Sequence, residues 1–220
     1  MKKTILIDNK PFSYEEEALS LDTIPAITNE EAREVLCLAK KLLQPIGLEF
    51  YLYWGTLLGA VRDKGVIKGD EDVDVYITDE AKLFMNIPYL YENGLKVIRI
   101  VRGSLYSFRA NNNCYIDFYI VRPLRHSIWS TSCYRITHYN QPKWIFQEAE
   151  EIPFLGETFM CPKNPEKVLA FLYGDTWRTP VKGHKFPSEV RSAYYFHQFR
   201  NFVKKCIFYD KWYMHFKKSQ

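Results

Sequence analysis

Asp72-Val73-Asp74-Val75-Tyr76-Ile77 is the segment that most constrains the fold. Its β-branched residues favour a strand, and the two-residue period then puts both carboxylates on one face while Val73 and Val75 point to the other. One face of such a strand meets a core. The other holds two carboxylates side by side, which can take Mg²⁺ between them. Just before it, Leu48-Glu49-Phe50-Tyr51-Leu52-Tyr53 reads as an aromatic-rich strand. Trp54-Gly55-Thr56-Leu57-Leu58-Gly59-Ala60-Val61-Arg62 reads as a Gly55-Thr56 turn opening a short helix. The first amides of a helix lack partners within it, so Gly55 and Thr56 are candidate contacts to a diphosphate. Arg62 and Lys64 are candidates to balance its charge, and Arg62 serves equally well as a salt-bridge partner of the acidic loop. An isolated Asp-x-Asp is usually a solvated strand edge or turn. The information lies in strand, Gly-Thr turn, helix and acidic strand following one another.

The rest of the chain supplies a frame for this unit. At 220 residues, with no Gly/Ser/Pro-rich linker, it is long enough for one well-buried core. Thr28 to Glu31 is a capping box, and the helix after it shows Ala32, Val35, Leu36, Ala39, Leu42 and Leu43 on one face, ending near Pro45-Ile46-Gly47. Asp79 to Met85 reads as a helix, and Leu95 to Val101, Leu105 to Ala110 and Cys114 to Val121 read as strands, the last entered through Asn111-Asn112-Asn113. Ile152 to Pro162 reads as a hairpin turning at Leu155-Gly156-Glu157. Asn164 and Pro165 then open a helix that Gly174 ends. Residues 1 to 27 show no clear period and read as a surface wrap.

Asp117 stands out because Tyr115-Ile116-Asp117-Phe118-Tyr119-Ile120 is strongly apolar, a setting in which a bare carboxylate is costly. It needs a positive partner: a metal ion, or Arg109 or Arg122. Tyr173 and Trp177 read first as core aromatics, with a place beside the acceptor or nucleotide base as the alternative.

Several function classes fall away. Five widely spaced cysteines without a Cys-x-x-Cys pair read as reduced thiols, and His126, Cys133, His138 and Cys161 match no common zinc module. The N-terminal apolar stretch is too short for a signal-peptide core and no run is long enough to span a bilayer, which points to the cytoplasm. A net charge of +4 is too slight to imply nucleic acid. Residues 188 to 220 carry aromatics at three- and four-residue steps with Arg200, Lys204, Lys205, Lys211, Lys217 and Lys218. This reads as a basic amphipathic helix, either packed on the domain or resting on the inner face of the membrane.

Taken together, Gly55 through Arg62, Lys64-Gly65-Val66-Ile67 and the acidic cluster ending Asp72-Val73-Asp74-Val75 resemble the LicD family, which includes the fukutin-type transferases of the nucleotidyltransferase-fold superfamily. Asn164-Pro165-Glu166-Lys167, Leu169 and Tyr173-Gly174-Asp175-Thr176-Trp177-Arg178-Thr179-Pro180 are similar to its C-terminal signature. The chain departs from the family pattern at Asp63 and at Lys68-Gly69. The resemblance implies an α+β fold with a nucleotidyltransferase-like mixed sheet flanked by helices in residues 1–187, and a C-terminal helical appendage in 188–220. It implies Mg²⁺ or Mn²⁺ on Asp70, Asp72, Asp74 and Asp117, with Asp72, Asp74 and Asp117 catalytic. It implies transfer of a substituted phosphate, phosphocholine or a polyol phosphate, from a CDP-linked donor to a glycan or lipid-linked glycan hydroxyl. The same carboxylates would also suit transfer of a nucleotide from a nucleoside triphosphate, and the fold would also suit a non-catalytic binding module.

Overall fold

The N-terminal segment forms a β-hairpin rather than an aperiodic wrap: β1 (Lys2–Ile7) pairs antiparallel with β2 (Lys10–Glu15). Asp8 and Asn9 make its two-residue turn at φ 49° and 60°, left-handed values that short Asp and Asn side chains tolerate. Only Ile7 and Tyr14 of these strands are buried, so little apolar alternation marks them in the sequence. The structure is a computed structural model and describes residues 2–16, 25–110, 114–123, 133–137 and 139–180.

Helix α1 (Asn29–Leu43) starts at the expected capping box. The Glu31 amide donates to Thr28 Oγ1 at 3.2 Å, while Glu31 Oε2 accepts from the Thr28 amide at 2.8 Å. All six residues of its expected apolar face are buried. The Asn29 side chain accepts from the Val66 amide at 2.8 Å, and the Ile27 amide donates to the Asp70 carbonyl at 2.8 Å. The start of α1 therefore clasps the loop leading into the acidic strand.

The central sheet is built from β3 (Tyr51–Leu52), β4 (Asp72–Ile77), β5 (Lys96–Val101), β6 (Leu105–Arg109) and β7 (Tyr115–Pro123), in the order β3-β4-β7-β6-β5. It is mixed: β4 and β7 run parallel and the other neighbours antiparallel. Strand β8 (Cys133–Ile136) extends it from the end of β7 and pairs with β9 (Tyr139–Pro142). Val73, Val75, Phe108, Ile116 and Phe118 join the α1 face in one apolar core.

Helix α2 (Trp54–Leu58) continues into a π-helical turn, Gly59–Asp63, that closes on left-handed Lys64. A methyl group on Gly59 would lie 2.5 Å from the Gly65 carbonyl oxygen, so only glycine allows these backbones to approach so closely. Two short helices, α3 (Glu80–Met85) and α4 (Ile87–Glu92), lead from β4 toward β5. The hairpin of β10 (Ala149–Phe154) and β11 (Glu157–Pro162) turns at Leu155 and Gly156 as expected, and α5 (Pro165–Tyr173) ends at Gly174. Asn164 opens α5 without a side-chain cap; it is left-handed at φ 56° and its amide donates to Glu150 Oε2 at 3.1 Å.

Among the described residues, Cys37, Cys114, Cys133 and Cys161 form no disulfide with one another. Among the described residues no helix is long and apolar enough to cross a membrane. The expected helix over 188–220, the Asn111 to Asn113 turn, His126 and His138 lie outside the described residues.

Candidate metal centre

Four polar side chains stand in register across four strands. Asp74 of β4 opposes Asp117 of β7, Asp117 opposes Ser107 of β6, and Ser107 opposes Arg99 of β5. Asp72, two residues before Asp74, shares its face, and one ligand oxygen from each of Asp72, Asp74 and Asp117 lies within 4.8 Å of the others. The valines between and after the two β4 acids are buried on the opposite face, as the alternation requires.

Helix α2 anchors the middle acid. The Tyr53 amide donates to the Asp74 carbonyl at 3.1 Å, the Asp74 amide to Thr56 Oγ1 at 2.7 Å, and the Gly55 amide to Asp74 Oδ2 at 3.2 Å. The Gly55 amide, expected to face phosphate, is thus engaged by a carboxylate, and Thr56 fixes the strand that carries it. Trp54 adopts φ 41°, an unfavourable value for a bulky residue, at the step that aims the Gly55 amide. Ring contacts with Tyr53, Tyr119 and Tyr139 hold it there. A methyl group on Gly55 would sit 2.9 Å from Asp70 Oδ2 and 3.4 Å from Asp74 Oδ2, which locates Asp70 beside Asp74, over the bare Cα of the glycine.

Burial and mutual repulsion hold these acids toward their protonated forms. Burial, and then the charges of Asp72, Asp117 and Asp70, push Asp74 well above the usual carboxylate range, offset in part by a hydrogen bond from the Tyr119 hydroxyl. Asp72 is pushed up to about 7, first by burial and then by Asp117 and Asp70. Burial raises Asp70 as well. It also raises Asp117, against a hydrogen bond from Ser107 and the charge of Arg99.

The donor set fits a divalent cation. Asp117 is 3% exposed, and its Oδ1 has no hydrogen-bond partner among the described residues. A buried carboxylate oxygen without a donor is costly unless a cation meets it. Three carboxylates offer only oxygen, which suits Mg²⁺ or Mn²⁺ rather than zinc.

The cation beside Asp117 is Arg99, with Nη2 3.2 Å from Oδ2, in place of Arg109 or Arg122. Arg99, Ser107 and Tyr119 join the site beyond the residues expected from the sequence. Tyr119 carried a signal, since it shares a strand face with Asp117 two residues away. Asp70 stands next to the three-carboxylate group and outside it. Arg62 pairs with its neighbour Asp63 at 2.7 Å, not with the acidic loop, and its Nη1 reaches the Trp177 carbonyl at 3.5 Å. Lys64 is exposed at the end of the π-helical turn. Trp177 is buried in the core, as expected of a large aromatic. Tyr173 is close enough to Asp74 and Asp70 for their charges, after burial, to raise its hydroxyl further.

Residues 47–164, more than half of the chain and the span that holds all four acids, match the model of the LicD/FKTN/FKRP nucleotidyltransferase domain. Ribitol-5-phosphate transferase FKTN of Mus musculus is 27% identical over 170 residues, covering 73% of this chain and 36% of the relative. The Homo sapiens protein of the same name is 26% identical over 184 residues, covering 77% and 38%. The chain thus spans little more than a third of the length of the curated relatives it matches. Among solved structures, lincosamide antibiotic adenylyltransferase LnuA aligns over 79% of this chain and 98% of that one, at 12% identity and a TM-score of 0.44. Antibiotic-resistance factor ANT(2'')-Ia aligns over 83% and 91%, at 15% identity and 0.43. On the family match over its acid-bearing core, this chain belongs to the LicD/FKTN/FKRP family through its nucleotidyltransferase domain.

Proposed function

We propose that the protein is a metal-dependent transferase that moves a substituted phosphate from a CDP-linked donor to a hydroxyl of a cell-surface glycan or glycolipid precursor. The observation that carries this reading is the convergence of Asp72, Asp74 and Asp117 around a buried Asp117 oxygen without a hydrogen-bond partner among the described residues, inside the family-matched span. The name of the relatives, ribitol-5-phosphate transferase, favours a polyol phosphate over phosphocholine as the group moved.

Asp72, Asp74 and Asp117 would hold Mg²⁺ or Mn²⁺, with Asp70 beside them, and the bound cation would neutralise charge on the donor's phosphate oxygens. Gly55, Thr56 and Tyr119 keep the Asp74 carboxylate aimed. Lys64, exposed at the end of the π-helical turn, and Arg62, if it exchanges Asp63 for the donor, would add positive charge for the diphosphate. Because phosphoryl transfer passes through a loose transition state, the protein mainly has to position the reactants and stabilise charge. The basic, aromatic-rich stretch 188–220 brings the enzyme to the anionic inner surface of the membrane, where lipid-linked acceptors are met.

The test is to incubate the full chain with CDP-ribitol or CDP-choline and a glycan acceptor and to follow cytidine monophosphate release with Mg²⁺, with Mn²⁺ and with chelator. Metal-dependent release supports the reading. Pyrophosphate release from a nucleoside triphosphate, with CDP-linked donors untouched, overturns it in favour of nucleotidyl transfer.

A further inference from the structure

We infer that Arg99 is a positioning residue for the third carboxylate: by holding one oxygen of Asp117 it turns the other toward the divalent cation. This rests on the reading of Asp72, Asp74 and Asp117 as a cation site. Arg99 Nη2 donates to Asp117 Oδ2 at 3.2 Å, and the same guanidinium donates to Ser107 Oγ from Nε at 3.2 Å and from Nη2 at 3.1 Å. Oδ2 is thereby occupied. Oδ1 is the buried oxygen with no hydrogen-bond partner among the described residues. The carboxylate therefore divides its oxygens between a fixed cation on one side and a bound one on the other.

A break in the strand alternation puts Arg99 where it can do this. Val97 pairs with Phe108 and Arg99 with Ser107, leaving Ile98 as an extra residue in β5. Strict alternation would put Arg99 on the face of Val97, toward the apolar core. The bulge at Ile98 moves it to the face of Ser107 and Asp117. The planar fork of a guanidinium can brace two neighbours at once with fixed geometry, which a lysine ammonium does less well.

Two effects of Arg99 on cation binding oppose each other. Its charge repels a second cation, whereas its grip orients a ligand. The Arg99 side chain is 42% exposed, so solvent screens the repulsion. Loss of a group that orients a metal ligand typically costs about 10- to 100-fold in affinity. Orientation wins.

Mn²⁺ binding to the full chain, measured by electron paramagnetic resonance with thermal melts to establish folding, tests this in Arg99→Ala, Arg99→Lys and Asp74→Asn. Arg99→Ala should weaken Mn²⁺ binding about tenfold or more, with Arg99→Lys recovering part of the loss. Mn²⁺ affinity in folded Arg99→Ala equal to or tighter than wild type overturns the inference, and a fall in melting temperature alone does not rescue it. If Arg99→Ala does not fold, Arg99→Gln, which removes the charged fork while keeping much of the side chain and leaves Ser107 in place, is judged by the same criterion. Asp74→Asn separates the two levels: if it binds Mn²⁺ like wild type, the cation site itself is wrong. If it loses binding while Arg99→Ala keeps it, only the role of Arg99 falls.

Discussion

Asp74 and Asp117 are register partners on adjacent parallel strands, so the ladder between β4 and β7, rather than a loop, sets the spacing of their carboxylates. Asp72 joins them through the alternation of β4 alone. Three acids are thereby forced together with Arg99 as the cation in contact with Asp117, and the fold spends stability on the arrangement.

Replacing Asp72 or Asp74 with Asn is therefore expected to separate function from stability. Cytidine monophosphate release should fall by about two orders of magnitude or more, as expected for loss of a catalytic metal ligand. Asp72→Asn should melt no lower than wild type in chelator at pH 8, because it removes a repelled charge and keeps its shape. A clear drop in melting temperature would mark Asp72 as a structural residue.

The acids also dictate a pH dependence. The folded state raises Asp72 from about 3.9, the unfolded value, to about 7, so in the interval between them the folded chain binds more protons than the unfolded one. Its contribution to the stability of the cation-free protein is fully present below that interval and is lost as the pH rises through it. Thermal melts in chelator should accordingly fall from pH 5 to pH 8. Mn²⁺ should raise the melting temperature more at pH 8, where Asp72 has given up its proton, and an equal gain at both values would contradict a carboxylate-bound cation.

Two glycines should respond differently to alanine. Gly59→Ala drives a methyl group against the Gly65 backbone, and overpacking of this kind costs about 1–3 kcal/mol, visible as a lower denaturation midpoint. Gly55→Ala meets only the movable ends of Asp70 and Asp74, and alanine suits a helix better than glycine. Stability should change little while Mn²⁺ affinity and turnover fall several-fold.

Replacing Lys204, Lys205, Lys211, Lys217 and Lys218 with Gln should reduce co-sedimentation with anionic vesicles at low salt. Each lysine near such a surface is worth about 1 kcal/mol. Unchanged vesicle binding would remove the membrane from the proposal.

Much of this architecture is legible in local patterns. The capping box at Thr28, the alternation of Asp72 and Asp74, and the turn at Leu155 and Gly156 are each decided within a few residues of chain. Asp117 is legible because a carboxylate in an apolar strand demands a partner. The identity of that partner is not, because Arg99 reaches it only through pairing of β5, β6 and β7 and an extra residue at Ile98 that reverses the expected face. The N-terminal hairpin escaped for the opposite reason: its strands bury too little to show a period, and only the Asp8-Asn9 pair marks the turn.

The clasp between the start of α1 and the loop before β4 has a consequence for how the chain matures. Asp70 is tied by its own carbonyl to Ile27, while Asn29 grips Val66. Asp117 arrives only once β7 has crossed over to lie beside β4. A chain in which β7 has not yet paired with β4 cannot bring Asp117 to Asp72 and Asp74. Appearance of a tight Mn²⁺ site during refolding would then be a late event, and a direct clock for completion of the core.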